Sequence, residues 1–185
     1  MEAPVWKISI EQYLEQEEEA LEKANIITER CLPCWRLLPH NQLVGRVITF
    51  LNNRLRGKGC EAYPSDLRLH IPINTLFTYP DVMVICGQPE FWNGRQDTVL
   101  NPSLVVEVLS PGRADYDRGT KFMFYRQMAS LQQYLMVSST EYLVESVVRQ
   151  GELWQLSEHR RLDEKVTLSA LGTKFRWRSF MRVFK

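Results

Sequence analysis

The chain contains two short apolar runs that each carry one carboxylate, Tyr79-Pro80-Asp81-Val82-Met83-Val84-Ile85 and Pro102-Ser103-Leu104-Val105-Val106-Glu107-Val108-Leu109. Both runs are rich in β-branched residues and are bounded by proline or glycine, a pattern that predicts short buried strands. An ionised carboxylate inside a buried strand is costly unless another group compensates its charge. The two runs therefore predict a β-sheet and mark Asp81 and Glu107 as candidate functional residues.

The two acids point to a metal site. Ionised acids on neighbouring strands repel each other, and burial raises their pKa values, unless a cation or a lysine lies between them. Mg²⁺ binds oxygen ligands, usually one or two carboxylates, and water and phosphate oxygens complete its octahedron. Asp81 and Glu107 are therefore predicted to be metal ligands. The alternative interpretation is that they are two acids at strand ends, capped by backbone amides or paired with arginines.

Length and composition bound the class of protein. A chain of 185 residues with 44% hydrophobic content has enough apolar material for one globular core, so we expect residues 1–185 to form a single domain. It contains no apolar run close to the roughly 20 residues that cross a bilayer, and its beginning lacks the basic-then-apolar pattern of a signal peptide. We therefore expect a cytoplasmic protein without a membrane segment.

Charge is unevenly distributed along the chain, although the net charge is only +1. Residues 1–111 contain 10 basic and 14 acidic side chains, whereas residues 112–185 contain 13 and 8. The basic second part is compatible with a polyanionic partner, but ordinary solvated faces show the same asymmetry. Charge alone therefore neither predicts nor excludes nucleic-acid binding.

The four cysteines give no sign of a metal centre. Cys31 and Cys34 form a C-x-x-C pair, but no second pair or Cys/His cluster at zinc-site spacing accompanies it. Cys60 and Cys86 stand alone in the sequence. We therefore expect no structural zinc and interpret the cysteines as reduced, partly buried thiols.

Hydrophobic periodicity predicts a mixture of helices and strands. Ser9-x-x-Gln12 is a capping-box pattern at the start of an acidic helix, and a 3.6-residue apolar stripe follows His40. The order of elements favours a mixed α/β (α+β) fold. The predicted helices are 9–24, 40–56 and 117–128, and the predicted strands include 60–63, 67–71, 133–137, 142–149 and 152–156, the last three as an antiparallel series.

The acidic pattern is similar to that of a known nuclease superfamily. A Pro-Asp strand, followed by a later strand with a glutamate and a lysine two positions on, is the signature of PD-(D/E)XK nucleases. In this sequence Asp81 and Glu107 are 26 residues apart, but the position two after Glu107 is Leu109. Lys121, on the following predicted helix, is the candidate replacement for the missing lysine.

The sequence resembles the Uma-two family, described as putative restriction endonucleases, over about residues 8–156. The motifs that carry this resemblance are Ser9-Ile10-Glu11-Gln12-Tyr13-Leu14, His40-Asn41, Tyr79-Pro80-Asp81-Val82, Asn101 to Pro111, Tyr116-Asp117-Arg118-Gly119-Thr120-Lys121-Phe122, Tyr125-Arg126 and Ser130 to Val137.

This resemblance implies a restriction-endonuclease-like core, with a mixed central β-sheet flanked by helices. It also implies hydrolysis of phosphodiester bonds with Mg²⁺ or Mn²⁺, in which Asp81 and Glu107 hold the metal and Asp81, Glu107 and Lys121 are catalytic. An amine beside two carboxylates stays protonated, so Lys121 is expected to stabilise charge rather than to act as a base.

Several accessory residues follow from the resemblance. Family members commonly place a Glu-x-x-x-Gly hairpin before the helix that begins with histidine, whereas the segment 28–40 has no such glycine, and Glu29 is the candidate for its acid. His40 is predicted either to touch the site or, as alternatives, to cap its helix or to be exposed on the surface. Asp117 is predicted to be a helix N-cap, and Tyr125 to pack against the stem of Lys121.

The leading hypothesis is a metal-dependent DNA endonuclease that works as a homodimer, so that two sites cut both strands. The alternative is a catalytically inactive nucleic-acid-binding or oligomerising module that retains the nuclease fold. The sequence contains no base-reading motif, so the choice between DNA and RNA and the sequence specificity stay open.

Overall fold

The computed structural model describes residues 6–7, 9–19, 24–27, 30–33 and 38–176. The helices among them are α1 (Ile10–Glu19), α2 (Leu38–Leu55), α3 (Ala114–Tyr116) and α4 (Phe122–Tyr125), and the π-helical turn Asp117–Lys121 joins the last two. We call the continuous stretch 114–125 the site helix. The strands are β1 (Trp6–Lys7), β2 (Ala24–Ile27), β3 (Arg30–Pro33), β4 (Cys60–Pro64), β5 (Arg68–Ile71), β6 (Leu76–Thr78), β7 (Val82–Cys86), β8 (Thr98–Val99), β9 (Leu104–Leu109), β10 (Gln133–Ser138), β11 (Val144–Gln150), β12 (Leu153–His159), β13 (Lys165–Leu168) and β14 (Thr173–Arg176).

The centre of the fold is a mixed six-stranded sheet with the order β12-β11-β10-β9-β7-β4. Strands β9 and β10 run parallel, and the other neighbours in this sheet are antiparallel. The two apolar runs that carry Asp81 and Glu107 are therefore adjacent in the central sheet, where they form β7 and β9. A second sheet has the order β1-β3-β2-β6-β5-β8, and β13 pairs with β14.

Helix α2 covers one face of the central sheet. Its apolar residues recur every four positions at Leu43, Val47, Leu51 and Leu55, so they form one stripe along the helix. This stripe packs against every second residue of the two central strands, because alternate side chains of a strand point to the same face. The contacted residues on β7 and β9 are Val82, Val84, Leu104 and Val106.

The opposite face of the central sheet meets the site helix and the second sheet. Met83 and Ile85 of β7 and Val105 of β9 pack there with Tyr125 of the site helix. Glu107 is two residues after Val105, so the period of the strand places its side chain on this same face. An acid is thereby directed into an otherwise apolar layer.

Helix α1 begins as the sequence predicts. Ser9 and Gln12 exchange side-chain to backbone hydrogen bonds of 3.0 and 3.2 Å, which is the capping box. Tyr13 of α1 is buried against Phe77 of β6, so the helix closes the outer face of the second sheet. Residues 20–23 of the predicted helix lie outside the described residues.

Several predicted boundaries are wrong. The helix predicted for 117–128 begins three residues earlier and ends at Tyr125. Strands β6 and β8, of three and two residues, are too short to show a periodicity and were not predicted. Among the described residues, no helix is both long and apolar enough to cross a membrane.

The prediction that Cys60 and Cys86 are unpaired thiols is wrong. Strands β4 and β7 are antiparallel, and their register places Cys60 directly opposite Cys86. The two residues form a disulfide bond that closes 26 residues of chain. A separation of this length carries no pairing signal in the sequence, because only the strand register brings the two side chains together. Cys34 lies outside the described residues.

We expect the Cys60–Cys86 disulfide to stabilise the fold, because it restricts the unfolded chain. For a loop of 26 residues the chain-entropy estimate is about 3.5 kcal/mol, which corresponds to a decrease in Tm of roughly 7–14 °C when the bond is removed. Thermal unfolding of the wild type with and without a phosphine reductant measures this decrease.

The double variant Cys60→Ser/Cys86→Ser is the control. Its Tm should match that of the reduced wild type, and the reductant should leave the Tm of the variant unchanged. Equal Tm values for the wild type and the double variant without reductant would show that the bond contributes nothing.

Candidate active site

The two predicted acids meet at one end of the central sheet. Glu107 lies in β9, and Asp81 immediately precedes β7. These strands pair antiparallel with Val82 opposite Val106, so the same register continued by one residue places Asp81 opposite Glu107. Both acids are buried, with 4% and 2% of their surface exposed. The structure therefore brings together two residues that are far apart along the chain.

Asp81 is held by a side chain and a backbone amide. Its Oδ2 atom lies 3.0 Å from Nε2 of His40 and accepts a 2.7 Å hydrogen bond from the backbone N–H of Val108. The alternative interpretation of an acid capped by a backbone amide is thus true for this one contact. Nδ1 of His40 is buried and has no hydrogen-bond partner among the described residues.

His40 reaches Asp81 because it belongs to the buried stripe of α2. It lies in the first turn of the helix, three residues before Leu43 and seven before Val47, and only 5% of it is exposed. Its side chain therefore points to the sheet like those of the apolar residues that follow it. Of the predicted alternatives, the structure excludes surface exposure and shows a contact between His40 and Asp81.

Glu107 is held by the site helix. Its Oε1 atom accepts a 2.9 Å hydrogen bond from Nζ of Lys121 and a 2.8 Å hydrogen bond from the hydroxyl of Tyr125. Lys121 and Tyr125 are four residues apart, so both project from one face of the helix towards β9. The amine of Lys121 thus contacts Glu107 from the site helix rather than from the strand that carries the acid.

Asp117 is a member of the site that the sequence analysis assigned to another role. It was predicted to be an N-cap, but the helix begins at Ala114, and Asp117 lies inside the helix with 5% of its surface exposed. Its Oδ1 atom is 3.2 Å from Nζ of Lys121. The spacing 117, 121, 125 was the available signal, because residues four apart share a helix face.

The π-helical turn is fixed to the sheet at two points. The hydroxyl of Tyr134 on β10 donates a 3.0 Å hydrogen bond to the backbone carbonyl of Asp117. Nε of Arg118 donates a 2.7 Å hydrogen bond to Oε2 of Glu145 on β11. A π turn of this kind is often found at functional sites, since the wider turn shifts side chains relative to a regular helix.

Burial and charge determine the protonation of the site. Burial raises the pKa of Glu107 to about 7, against the attraction of Lys121 and with the repulsion of Asp81 and Asp117. Burial also raises the pKa of Asp117. Burial disfavours the charged form of Lys121, but Glu107 and Asp117 together hold its pKa well above the usual value. Lys121 is therefore protonated at neutral pH, whereas Glu107 changes its charge there.

The oxygen donors of the site are of the kind that hard divalent cations bind. Asp81 and Glu107 supply carboxylates at one end of the same sheet, and Oε2 of Glu107 accepts no hydrogen bond from the described residues. Mg²⁺ is commonly bound by one or two carboxylates, with water and substrate oxygens as its other ligands. In the described ranges, no three His, Cys, Asp or Glu side chains are grouped as a complete metal cage. Glu29, the predicted accessory acid, lies outside the described residues.

Comparison with known families and structures identifies the family and the fold. The family model Uma2, described as "Putative restriction endonuclease", matches residues 10–178. The match continues past the range of the resemblance found in the sequence and includes β13 and β14.

Two relatives from Synechocystis sp. are similar over most of the chain. "Uncharacterized protein sll1609" is 38% identical over 149 residues, which cover 80% of this chain and 84% of the relative. "Uncharacterized protein slr1290" is 33% identical over 176 residues, which cover 94% and 90%. Both alignments therefore cover most of the chain and not only the candidate active site.

One solved structure gives the fold. The crystal structure of "a putative nuclease belonging to DUF820" from Anabaena variabilis superimposes with a TM-score of 0.72 at 15% identity, and the match covers 90% of this chain and 96% of the other. At this identity the likeness shows the fold alone. It confirms the predicted restriction-endonuclease-like fold.

We expect the stability of the metal-free protein to fall as the pH rises from 5 to 8, because Glu107 loses its proton inside the core. Its pKa is about 7 in the folded protein against an ordinary value of 4.5. Between pH 4.5 and about pH 7 the folded state therefore binds more protons than the unfolded state. The protonated carboxyl stabilises the folded state fully below pH 4.5, and this contribution is lost as the pH rises above about 7. At about 1.4 kcal/mol per pKa unit, the change is on the order of 3 kcal/mol. Urea unfolding in EDTA at several pH values measures it.

The variant Glu107→Gln is the control for this pH dependence. Glutamine keeps the shape of the side chain but does not titrate, so the free energy of unfolding of the variant should vary less between pH 5 and 8. Parallel pH profiles for the two proteins would contradict the assignment to Glu107.

Proposed function

This chain belongs to the Uma2 family, and we propose that it is a Mg²⁺- or Mn²⁺-dependent endonuclease that hydrolyses phosphodiester bonds of DNA. The family and the fold point to a nuclease. We extend this function to a named metal, a DNA substrate and specific catalytic residues. The observation that carries it is the meeting of Asp81, Glu107 and the protonated Lys121 in one buried site.

Asp81 and Glu107 are the proposed metal ligands. A bound Mg²⁺ would offset negative charge on the phosphate and on the leaving oxygen and would lower the pKa of water. Glu107 must give up its proton to serve as a ligand, because a neutral acid is a poor donor for a divalent cation. Its pKa of about 7 makes this proton loss possible near neutral pH.

Lys121 is proposed to stabilise charge that develops on the phosphate during hydrolysis. Its pKa is held well above the usual value by Glu107 and Asp117, against the effect of burial. A group of this kind keeps its proton and cannot act as a general base at neutral pH. A fixed positive charge in a buried site stabilises a developing anion more strongly than it would in water.

His40 and Tyr125 are proposed to position the two acids. His40 contacts Oδ2 of Asp81, and Tyr125 donates to Oε1 of Glu107. Each contact restricts the rotation of a carboxylate, as the outer partners of metal ligands commonly do. Both are positioning residues in this proposal, since they act through Asp81 and Glu107.

We expect Asp81→Asn, Glu107→Gln and Lys121→Met each to lower the rate of plasmid cleavage by about 100-fold or more. The reason is that each change removes a metal ligand or the buried positive charge. Nicking of supercoiled plasmid in Mg²⁺ or Mn²⁺, with EDTA as the metal-free reference, measures the rates, and circular dichroism checks that the variants are folded.

Glu61→Gln is the matched control, because Glu61 is an exposed acid on β4 that contacts Tyr63 rather than the site. It should cleave at the wild-type rate. Equal cleavage by the wild type and Asp81→Asn would rule out the proposed role of the acids.

We expect His40→Ala to need about 10-fold more Mn²⁺ for half-maximal cleavage, with a smaller effect at saturating Mn²⁺. The change frees Asp81 to rotate, and loss of an outer partner typically costs 10- to 100-fold in metal affinity. A titration of the cleavage rate with Mn²⁺ measures the shift.

Gln42→Ala, an exposed position on the same helix, should keep the wild-type Mn²⁺ dependence. His40→Gln retains a polar side chain and should lie between the two. A loss of rate at His40→Ala that Mn²⁺ cannot offset would argue for a direct role of the ring in hydrolysis.

The alternative function, a nucleic-acid-binding or oligomerising module without turnover, rests on one observation. In the described part of the chain, no three or more His, Cys, Asp or Glu side chains are grouped so that they could hold a metal ion. Salt-dependent DNA binding without cleavage in any divalent cation would favour this alternative. The homodimer stays a prediction, which light scattering tests.

A further inference from the structure

Tyr116 has a buried hydroxyl that the hydrolytic site does not use. The hydroxyl has no hydrogen-bond partner among the described residues. Burial raises the pKa of Tyr116 to about 12, and the charges that act on it include Lys121, Asp117 and Glu107. The hydroxyl therefore lies within electrostatic range of the site and is neutral at physiological pH, so it is a free hydrogen-bond donor.

Arg113 is a second unpaired group near Tyr116, at the start of the site helix. It is half-buried, and its guanidinium makes no hydrogen bond or ion pair with the residues that the structure describes. The two other cations between residues 113 and 121 are neutralised, since Arg118 pairs with Glu145 and Lys121 with Glu107. Arg113 is therefore the cation of this segment whose charge remains available to a ligand.

The two residues lie at the same end of the site helix. Arg113 immediately precedes α3 and Tyr116 ends it, so they are three residues apart, the spacing of neighbours on a helix surface. Arg113 also acts electrostatically on both Tyr116 and Asp117. The guanidinium and the hydroxyl are thereby placed beside the acids rather than on a remote surface.

We propose that Arg113 and Tyr116 form a phosphate-binding pair that holds the non-bridging oxygens of a substrate phosphodiester next to the acidic site. A guanidinium forms two parallel hydrogen bonds with a phosphate, and a phenol donates one more. The identity of the substrate rests on the proposed function, but the phosphate chemistry of the pair does not.

The negative charge of the site explains why a substrate phosphate would need a cation such as Arg113 nearby. Asp81, Glu107 and Asp117 are three acids around one lysine, and this excess of acids repels a phosphate. A cation at its border offsets that repulsion when the anionic substrate approaches. Arg113 can fulfil this role because none of the described acids already neutralises it.

The unpaired hydroxyl of Tyr116 also predicts how its removal affects the stability of the folded protein. An unsatisfied buried donor costs free energy in the folded protein, and its removal with the ring retained is neutral or stabilising. A residue that serves the substrate rather than the fold therefore loses binding but not stability when the hydroxyl is removed.

DNA binding in EDTA tests the pair without any dependence on cleavage. Fluorescence anisotropy with a labelled DNA duplex is measured at several salt concentrations. We expect Arg113→Gln to reduce the slope of log affinity against log salt by about 1, because one phosphate contact is lost. Tyr116→Phe should weaken binding by roughly 5- to 20-fold with an unchanged slope, and its Tm should equal or exceed that of the wild type.

Arg56→Gln is the matched control. Arg56 is an exposed arginine just after α2, about 24 Å along the helix axis from His40, and its replacement should leave affinity and slope unchanged. A wild-type slope in Arg113→Gln, or wild-type affinity in Tyr116→Phe, would overturn the proposal. A Tyr116→Phe protein with a lowered Tm would also overturn it, since the hydroxyl would then serve the fold.

Inorganic phosphate separates this proposal from the proposed function. At constant ionic strength, phosphate should raise the Tm of the wild type more than chloride does, and Arg113→Gln should remove the difference. If the wild type binds no DNA but shows this phosphate effect, the nuclease proposal fails and the phosphate-binding pair stands. If phosphate has no effect that depends on Arg113, and DNA binding is equally independent of Arg113, the pair is excluded.

Discussion

The structure depends on one buried ion pair, in which Nζ of Lys121 lies 2.9 Å from Oε1 of Glu107. Glu107 lies in the middle of the sheet with 2% of its surface exposed, where a lone carboxylate would be neutral or would destabilise the fold. Lys121, shared with Asp117, supplies the compensating charge. The same contact holds the site helix against the central sheet. A change that removes the ion pair would therefore alter both the position of the helix and the charge of the site.

The fold assembles the site from both faces of the sheet. Helix α2 lies on one face and contributes His40 from its first turn, whereas the site helix lies on the other and contributes Lys121. Between these helices, Glu107 lies in β9 and Asp81 immediately precedes the adjacent strand β7. Because each helix is also held by an apolar stripe, packing and chemistry place the same constraints on these residues, and small changes in helix position alter both.

Much of this arrangement could be predicted from the sequence, and the exceptions have physical causes. Asp81, Glu107 and Lys121 were identifiable because acids within apolar strands are costly and the motif is specific. Asp117 was misassigned, because an aspartate near a helix start resembles an N-cap when the true start is unknown. The partner of Cys60 was invisible, because it depends on the register of β4 against β7. The free donors Arg113 and Tyr116 become apparent only when the partners of the neighbouring charges are known.

The π-helical turn Asp117–Lys121 makes this segment unusually sensitive to chain length. A π turn holds one residue more than a regular helical turn, so losing one residue between Asp117 and Lys121 would convert it into a regular turn and change the spacing of these two side chains. The 3.2 Å contact between Asp117 and Lys121 depends on that spacing. Point substitutions at the other positions of the turn keep the spacing, whereas insertions and deletions do not.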